Sequence, residues 1–458
     1  MALRNSLHTA VAALALLPSY AIGTPFLSLG NNNDANSRRN ADVNNAQLEA
    51  REMLNELGIP VDGFQIDLKS TRLVKRASDT GTAPVKSIEL GTMYASDIQV
   101  HGETFRLLLD TGSPDLWLPS QGVKCVDGNA KEVPQSQCNF TRFTPPTYSG
   151  GQIPDRHFNR SYTNGNHYLG TVGYEDVTIG DLTVERQIVA KVNVAKQDAP
   201  FHGDWNGVLG LGFSNLTTAF PGLDPTKDND TIGNPHNAIP YNPWILSAYE
   251  SGVIKKPVFT LVLEPMGKPD GESAGTLIVG GAASPSSTRY TGAPGSAKLR
   301  RYPAPYRNYW WDFVPDGMNI GGRFIPWTEK STVDNGLKTY YVDSGQRWTT
   351  IPESTMTAWL KTFSPPATQH SSGFGIALCN ATFDSLAIRV GGSDIAFGNS
   401  SLLLQPPIGA VDDKPGYCWT GVMSGVEPLL GSTFLSNVAV TFDMTPGAER
   451  MVFSNIIK

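Results

Sequence analysis

Two short stretches of this chain repeat one pattern that can carry acid–base chemistry. One is Leu107-Leu108-Leu109-Asp110-Thr111-Gly112-Ser113, the other Tyr340-Tyr341-Val342-Asp343-Ser344-Gly345-Gln346. Each is an apolar run ending in Asp, a small hydroxyl residue and Gly. Each has a downstream echo, an apolar pair closed by Gly: Val208-Leu209-Gly210 after the first and Leu429-Leu430-Gly431 after the second. The echo glycines stand 100 and 88 residues beyond their aspartates. A duplicated half-site implies two lobes that each deliver one carboxylate. Two carboxyl groups facing each other can share one proton, so that one is a base towards water while the other stays an acid.

The elements that must deliver these groups read as strands. Stretches such as Ile98-Gln99-Val100 and Thr276-Leu277-Ile278-Val279 are apolar runs closed by Gly. Long amphipathic helical patterns are scarce, and 46 Gly and 33 Pro suit many turns between short strands. A third Asp-Thr-Gly, Asp79-Thr80-Gly81, shows that the tripeptide alone is weak. No apolar run precedes it, and it reads as a flexible N-terminal loop. At Asp110 and Asp343 an apolar strand leads inward, the hydroxyl neighbour can hold a turn, and Gly allows two loops to approach closely.

The chain has 458 residues, enough for a large core and more than one domain. Met1 to Gly23 reads as a secretory signal peptide: Arg4, then the apolar Ala10–Leu17, then small residues around Ala21 and Gly23. Residues 24–76 read as a propeptide. They hold a polar Asn31-Asn32-Asn33 stretch, one short amphipathic helix through Ala50, Met53, Leu54 and Leu57, and a closing dibasic Lys75-Arg76. An N-terminal lobe is expected over 77–265 and a C-terminal lobe over 266–458, with the polar stretch Glu264 to Ala274 as the connection. No lipid-anchor tail is expected at Lys458.

Four cysteines in an exported chain suit two disulfides. Three pairings exist. Cys125–Cys138 with Cys379–Cys418 keeps one bridge in each lobe and is the expected set. With no Cys-x-x-Cys and seven scattered His, no metal site or cofactor is expected. Six sequons, at Asn139, Asn159, Asn215, Asn229, Asn380 and Asn399, permit N-glycans on a secreted chain. A formal net charge of −6 argues against a nucleic-acid partner.

Leu107 to Ser120, LLLDTGSPDLWLPS, resembles the first active-site segment of pepsin-like aspartic proteases, and the resemblance covers nearly all of 86–458. Asn206 to Gly212, Tyr309-Trp310-Trp311 and Leu429 to Phe434 fall in the family's order, and the presequence resembles that of its secreted fungal members. The resemblance implies an all-β fold, a bilobal pepsin-like double β-barrel with the active-site cleft between two pseudo-two-fold related lobes. It implies a secreted, acid-active endopeptidase working on peptides or proteins as a monomer, outside the cell or in a vacuole. Asp110 and Asp343 would be the catalytic pair acting on a water. Ser113 would bond the first Asp, and Thr111 and Ser344 would lock the two loops that carry Gly112 and Gly345. Tyr162 would be the flap tyrosine, with Tyr168 as a rival, and Trp117 its support.

Two positions depart from the family. Thr163 follows the flap Tyr where Gly is usual, and Gln346 stands where Thr or Ser would steady the second Asp. The amide of Gln346 is a candidate substitute for that hydroxyl, and Arg347 is expected on the solvent face. Gln346 is the ground for an alternative reading, a catalytically silent relative that binds peptides or proteins. A carbohydrate-active enzyme with paired carboxylates would explain the acids but not the duplicated motif. Subsite preference is spread over loops of both lobes, including a polar insertion from Thr217 to Asn242.

Overall fold

The computed structural model describes residues 79–197, 204–231, 234–235, 237–283, 290–300, 310–331 and 336–456. All belong to one compact unit, Ala77–Lys458. The expected signal peptide, propeptide and Lys75-Arg76 lie outside the described residues.

The fold is all-β and bilobal. One long sheet runs from the N-terminal lobe into the C-terminal lobe. From its middle to one edge it runs Met93–Val100, Gly81–Ile88, Ser273–Val279, Val258–Leu263, Val438–Asp443, Arg450–Ile456 and Tyr290–Lys298, in that order. The polar stretch Glu264 to Ala274 is therefore the turn of a hairpin within this shared sheet, Val262 facing Thr276 across it. A seven-stranded and a four-stranded sheet complete the C-terminal lobe. Helices are short, the longest among the described residues being Glu353–Leu360. None is long and apolar enough to cross a membrane.

The duplicated motif has a duplicated topology. Glu103–Asp110 pairs in parallel with its echo Val208–Gly210, placing Asp110 opposite Gly210. The echo in turn pairs antiparallel with Leu116–Val126. In the second half Tyr340–Val342 pairs in parallel with Leu429–Leu430, which pairs antiparallel with Thr349–Ile351. Each echo is thus the strand lying between the two arms of its Asp-bearing loop. Its closing glycine is required by close approach: a Cβ on Gly431 would stand 2.5 Å from the carbonyl oxygen of Trp348. Leu107 and Leu109 are fully buried and Leu108 nearly so, because the strand has protein on both faces. Burial of each such side chain contributes about 1.5–3 kcal/mol.

Asp79-Thr80-Gly81 is not a flexible loop. Gly81 pairs with Val279 at the start of the strand Gly81–Ile88, and Asp79 forms an ion pair with Lys255. The alternating burial of that strand gave it a sheet face that the tripeptide did not reveal. Cys125 is bonded to Cys138 and Cys379 to Cys418. The insertion after Thr217 packs on the strand Gln152–Ser161: Ala219–Pro221 adds to its edge. There the ring of His157 spans the carbonyl oxygen of Gly222, at 2.9 Å, and the Asp228 carboxylate, at 2.7 Å.

Candidate active site

Asp110 ends its strand and Asp343 follows its own at the floor of a cleft of about 300 Å³, with the aromatic side chains of Trp117, Tyr162, Trp205, Trp310 and Tyr341 in its walls. The loops that follow the aspartates interlock through four hydrogen bonds. Thr111 N–H donates to Ser344 Oγ (3.1 Å), and Ser344 N–H donates to Thr111 Oγ1 (2.9 Å). The Thr111 hydroxyl donates to the Val342 carbonyl (2.9 Å) and the Ser344 hydroxyl to the Leu109 carbonyl (2.7 Å). Each buried hydroxyl is both donor and acceptor, so neither is left unsatisfied. Thr111 and Ser344 thereby fix the separation of the two carboxylates.

The glycines complete the approach. A Cβ on Gly112 would lie 2.6 Å from Cγ of Asp343, and one on Gly345 would lie 2.5 Å from Oδ1 of Asp110. Each carboxylate thus rests against the other loop's glycine, which brings the two acids close across the interface.

The two acids have different surroundings. Asp110 accepts from Gly112 N–H (2.8 Å) and from the Ser113 hydroxyl. Asp343 accepts from Gly345 N–H (2.8 Å). Gln346 does not supply the missing hydroxyl. Its side chain is exposed, and its Oε1 accepts from the Arg347 N–H at 3.0 Å. Burial, then the neighbouring Asp110 charge, hold the Asp343 carboxyl well above the usual carboxylate range.

Arg347 is not free on the solvent face. Its guanidinium is 2.5 Å from Glu89, on a turn of the other lobe, with the arginine only about one-third exposed. No local signal marked this pair, because its partners come from turns 258 residues apart.

Tyr162 sits at the turn of the hairpin formed by Gln152–Ser161 and His167–Ile179 and lines the cleft. Its hydroxyl accepts from Trp117 Nε1–H at 2.9 Å. Its rival Tyr168 is buried beneath, with its ring centre 4.4 Å from that of Trp117. The turn is closed by Tyr162 N–H to the Asn166 carbonyl (2.9 Å) and Gly165 N–H to the Tyr162 carbonyl (3.0 Å). Its left-handed residue is Gly165, at φ +89°, so Thr163 occupies a position that a side chain tolerates. Sequence reading missed Arg160 and Asp115, which lie just behind this tyrosine and the first catalytic loop.

The family model for eukaryotic aspartyl proteases matches residues 93–454, across both motifs and both echoes. The chain belongs to that family. It is a pepsin-like aspartic endopeptidase. Its similar relatives include a probable aspartic-type endopeptidase of Aspergillus fumigatus, 28% identical over 386 residues, 82% of this chain and 81% of the relative. Endothiapepsin of Cryphonectria parasitica is 23% identical over 402 residues, 86% of this chain and 82% of its own. Among solved structures, the aspartic proteinase from Irpex lacteus superposes with a TM-score of 0.58 at 18% identity. The match covers 82% of this chain and 97% of that one, a likeness of fold. Among the described residues of this protease, no group of three or more His, Cys, Asp or Glu could hold a metal ion.

Proposed function

We propose that this protease is a secreted, acid-active endopeptidase in which Asp110 and Asp343 activate a water for direct attack on the peptide carbonyl. The observation that carries this reading is the seating of each carboxylate against the other loop's glycine, on loops that interlock through Thr111 and Ser344. The surroundings of the two acids support a division of roles. Asp110, with two close donors, is the ionised base that takes a proton from water. Asp343, raised by burial and by the charge of Asp110, keeps its proton and donates to the scissile carbonyl oxygen. The attack gives a tetrahedral diol without a covalent enzyme intermediate. Proton transfer to the leaving nitrogen then breaks the C–N bond. Tyr162 closes over the bound peptide.

Gln346 is the observation on the side of a silent relative. Its orientation leaves Asp343 without a hydroxyl donor while the interlock of the two loops is kept, so its effect falls on protonation and the dyad stays in place. Residues 1–23 and 24–76 are read as signal and propeptide, with cleavage after Arg76. N-terminal sequencing of the secreted form should find a start between residues 70 and 90, and a start outside that window would contradict the reading. Asp110→Asn and Asp343→Asn should each abolish cleavage of a peptide library at acidic pH while the thermal transition remains. Substantial turnover by either variant, with contaminating protease excluded, would overturn the dyad assignment.

A further inference from the structure

Resting on that reading, we infer that Arg160 is a positioning residue for the flap tyrosine, held in place by the buried carboxylate of Asp115.

Arg160, near the end of the strand Gln152–Ser161, and Tyr162, just past it, are two residues apart, as are Asp115, just before the strand Leu116–Val126, and Trp117, within it. Residues at that spacing share a face of a strand. The two pairs meet as two rungs. One rung is Trp117 Nε1–H to the Tyr162 hydroxyl, 2.9 Å. The other is Arg160 Nη1 to Asp115 Oδ2, 3.6 Å. Arg160 also donates to the Leu216 carbonyl at 3.0 Å, and its guanidinium carbon lies 5.2 Å from the centre of the Tyr162 ring. The tyrosine is therefore held at its hydroxyl by Trp117 and along its ring by a cation. Such contacts contribute more where water is excluded.

The anchor of the second rung is immobile. Asp115 is fully buried and accepts from Thr218 N–H (3.1 Å), the Thr218 hydroxyl (3.1 Å) and the Tyr241 hydroxyl (2.6 Å). It lies two residues beyond Ser113, whose hydroxyl holds Asp110. Burial raises its carboxyl and the Arg160 charge opposes that rise, so the pair stands or falls together. Flap, catalytic loop and insertion are thus joined at one point beside the cleft. A shift at any of them is transmitted to the ring that covers the substrate.

Removing Arg160 alone strands the Asp115 charge, so the informative variant removes both charges, Arg160→Met with Asp115→Asn. We expect this protein to fold with a thermal transition near wild type and to lose about tenfold in kcat/KM on a peptide substrate at acidic pH, equivalent to about 1.4 kcal/mol. In a Tyr162→Ala background the same two changes should cost less than about threefold, because the ring they position is gone. Wild-type kcat/KM in the charge-removed protein, or a loss that multiplies in full with that of Tyr162→Ala, would overturn the inference while the protease function stood. A wild type that cleaves no peptide would overturn the catalytic reading and this inference with it.

Discussion

Gly112 and Asp343 stand against each other across the lobe interface: a Cβ on the glycine would be 2.6 Å from the aspartate's Cγ. Gly112→Ala should therefore push the second carboxylate off its partner. Displacements on the order of 1 Å in a reacting pair cost about a hundredfold. We expect a loss of that size in kcat, with a melting temperature lowered by only a few degrees. Activity within about twofold of wild type would show that the pair tolerates separation.

Gln346→Thr tests the asymmetry of the acids. A hydroxyl beside Asp343 would donate to its charged form and lower its now raised pKa. In the proposed mechanism Asp343 keeps its proton, so activity should fall as pH rises through that pKa. The variant's alkaline limb should therefore lie at lower pH than the wild type's, with turnover at its acidic optimum at least equal. An unchanged pH profile would show that Thr does not reach Asp343.

Glu175 and Lys191 form an ion pair in the N-terminal lobe, 2.7 Å apart and each 2% exposed. Glu175→Leu leaves the ammonium buried with two carbonyl oxygens and the Tyr148 ring but no anion, and should lower unfolding free energy by about 3–5 kcal/mol in denaturant titrations near neutral pH. Burial raises the Glu175 carboxyl, but bonds from Lys191 and Ser149 outweigh it and hold it below its usual range. The pair's contribution is present above the unfolded pKa and lost as pH falls through the folded one. The gap between wild type and variant should therefore narrow only at strongly acidic pH.

Asn159 should carry no glycan on the secreted protein. It is 7% exposed, its amide donates to Asp228 at 2.7 Å, and its carbonyl oxygen bonds His167 at 2.6 Å. The other five sequon asparagines are exposed. Peptide mapping with and without a glycosidase should find Asn159 unmodified, and a glycan there would contradict the packing of the insertion on the flap strand.

Strand periodicity, the repeated Asp–hydroxyl–Gly and its apolar echoes are local, and they were enough to name Asp110 and Asp343 and to infer two lobes. Alternation sets which face of a strand is buried, and Gly marks close approach, so both survive without knowledge of distant neighbours. The echoes needed one further step: only sheet pairing shows that Val208–Gly210 and Leu429–Leu430 lie between the arms of their loops. Asp79-Thr80-Gly81 and Asp110-Thr111-Gly112 are the same tripeptide, and tertiary structure alone placed one at a strand entry and the other on the floor of the cleft. The same holds for the direction of the Gln346 side chain, the Arg347–Glu89 pair, the burial of Asn159 and the Arg160–Asp115 rung. Each depends on the register of strands and on loops from far along the chain arriving at one point. Such contacts leave no periodic trace in sequence, because the free energy that fixes them belongs to the assembled interface and not to either segment.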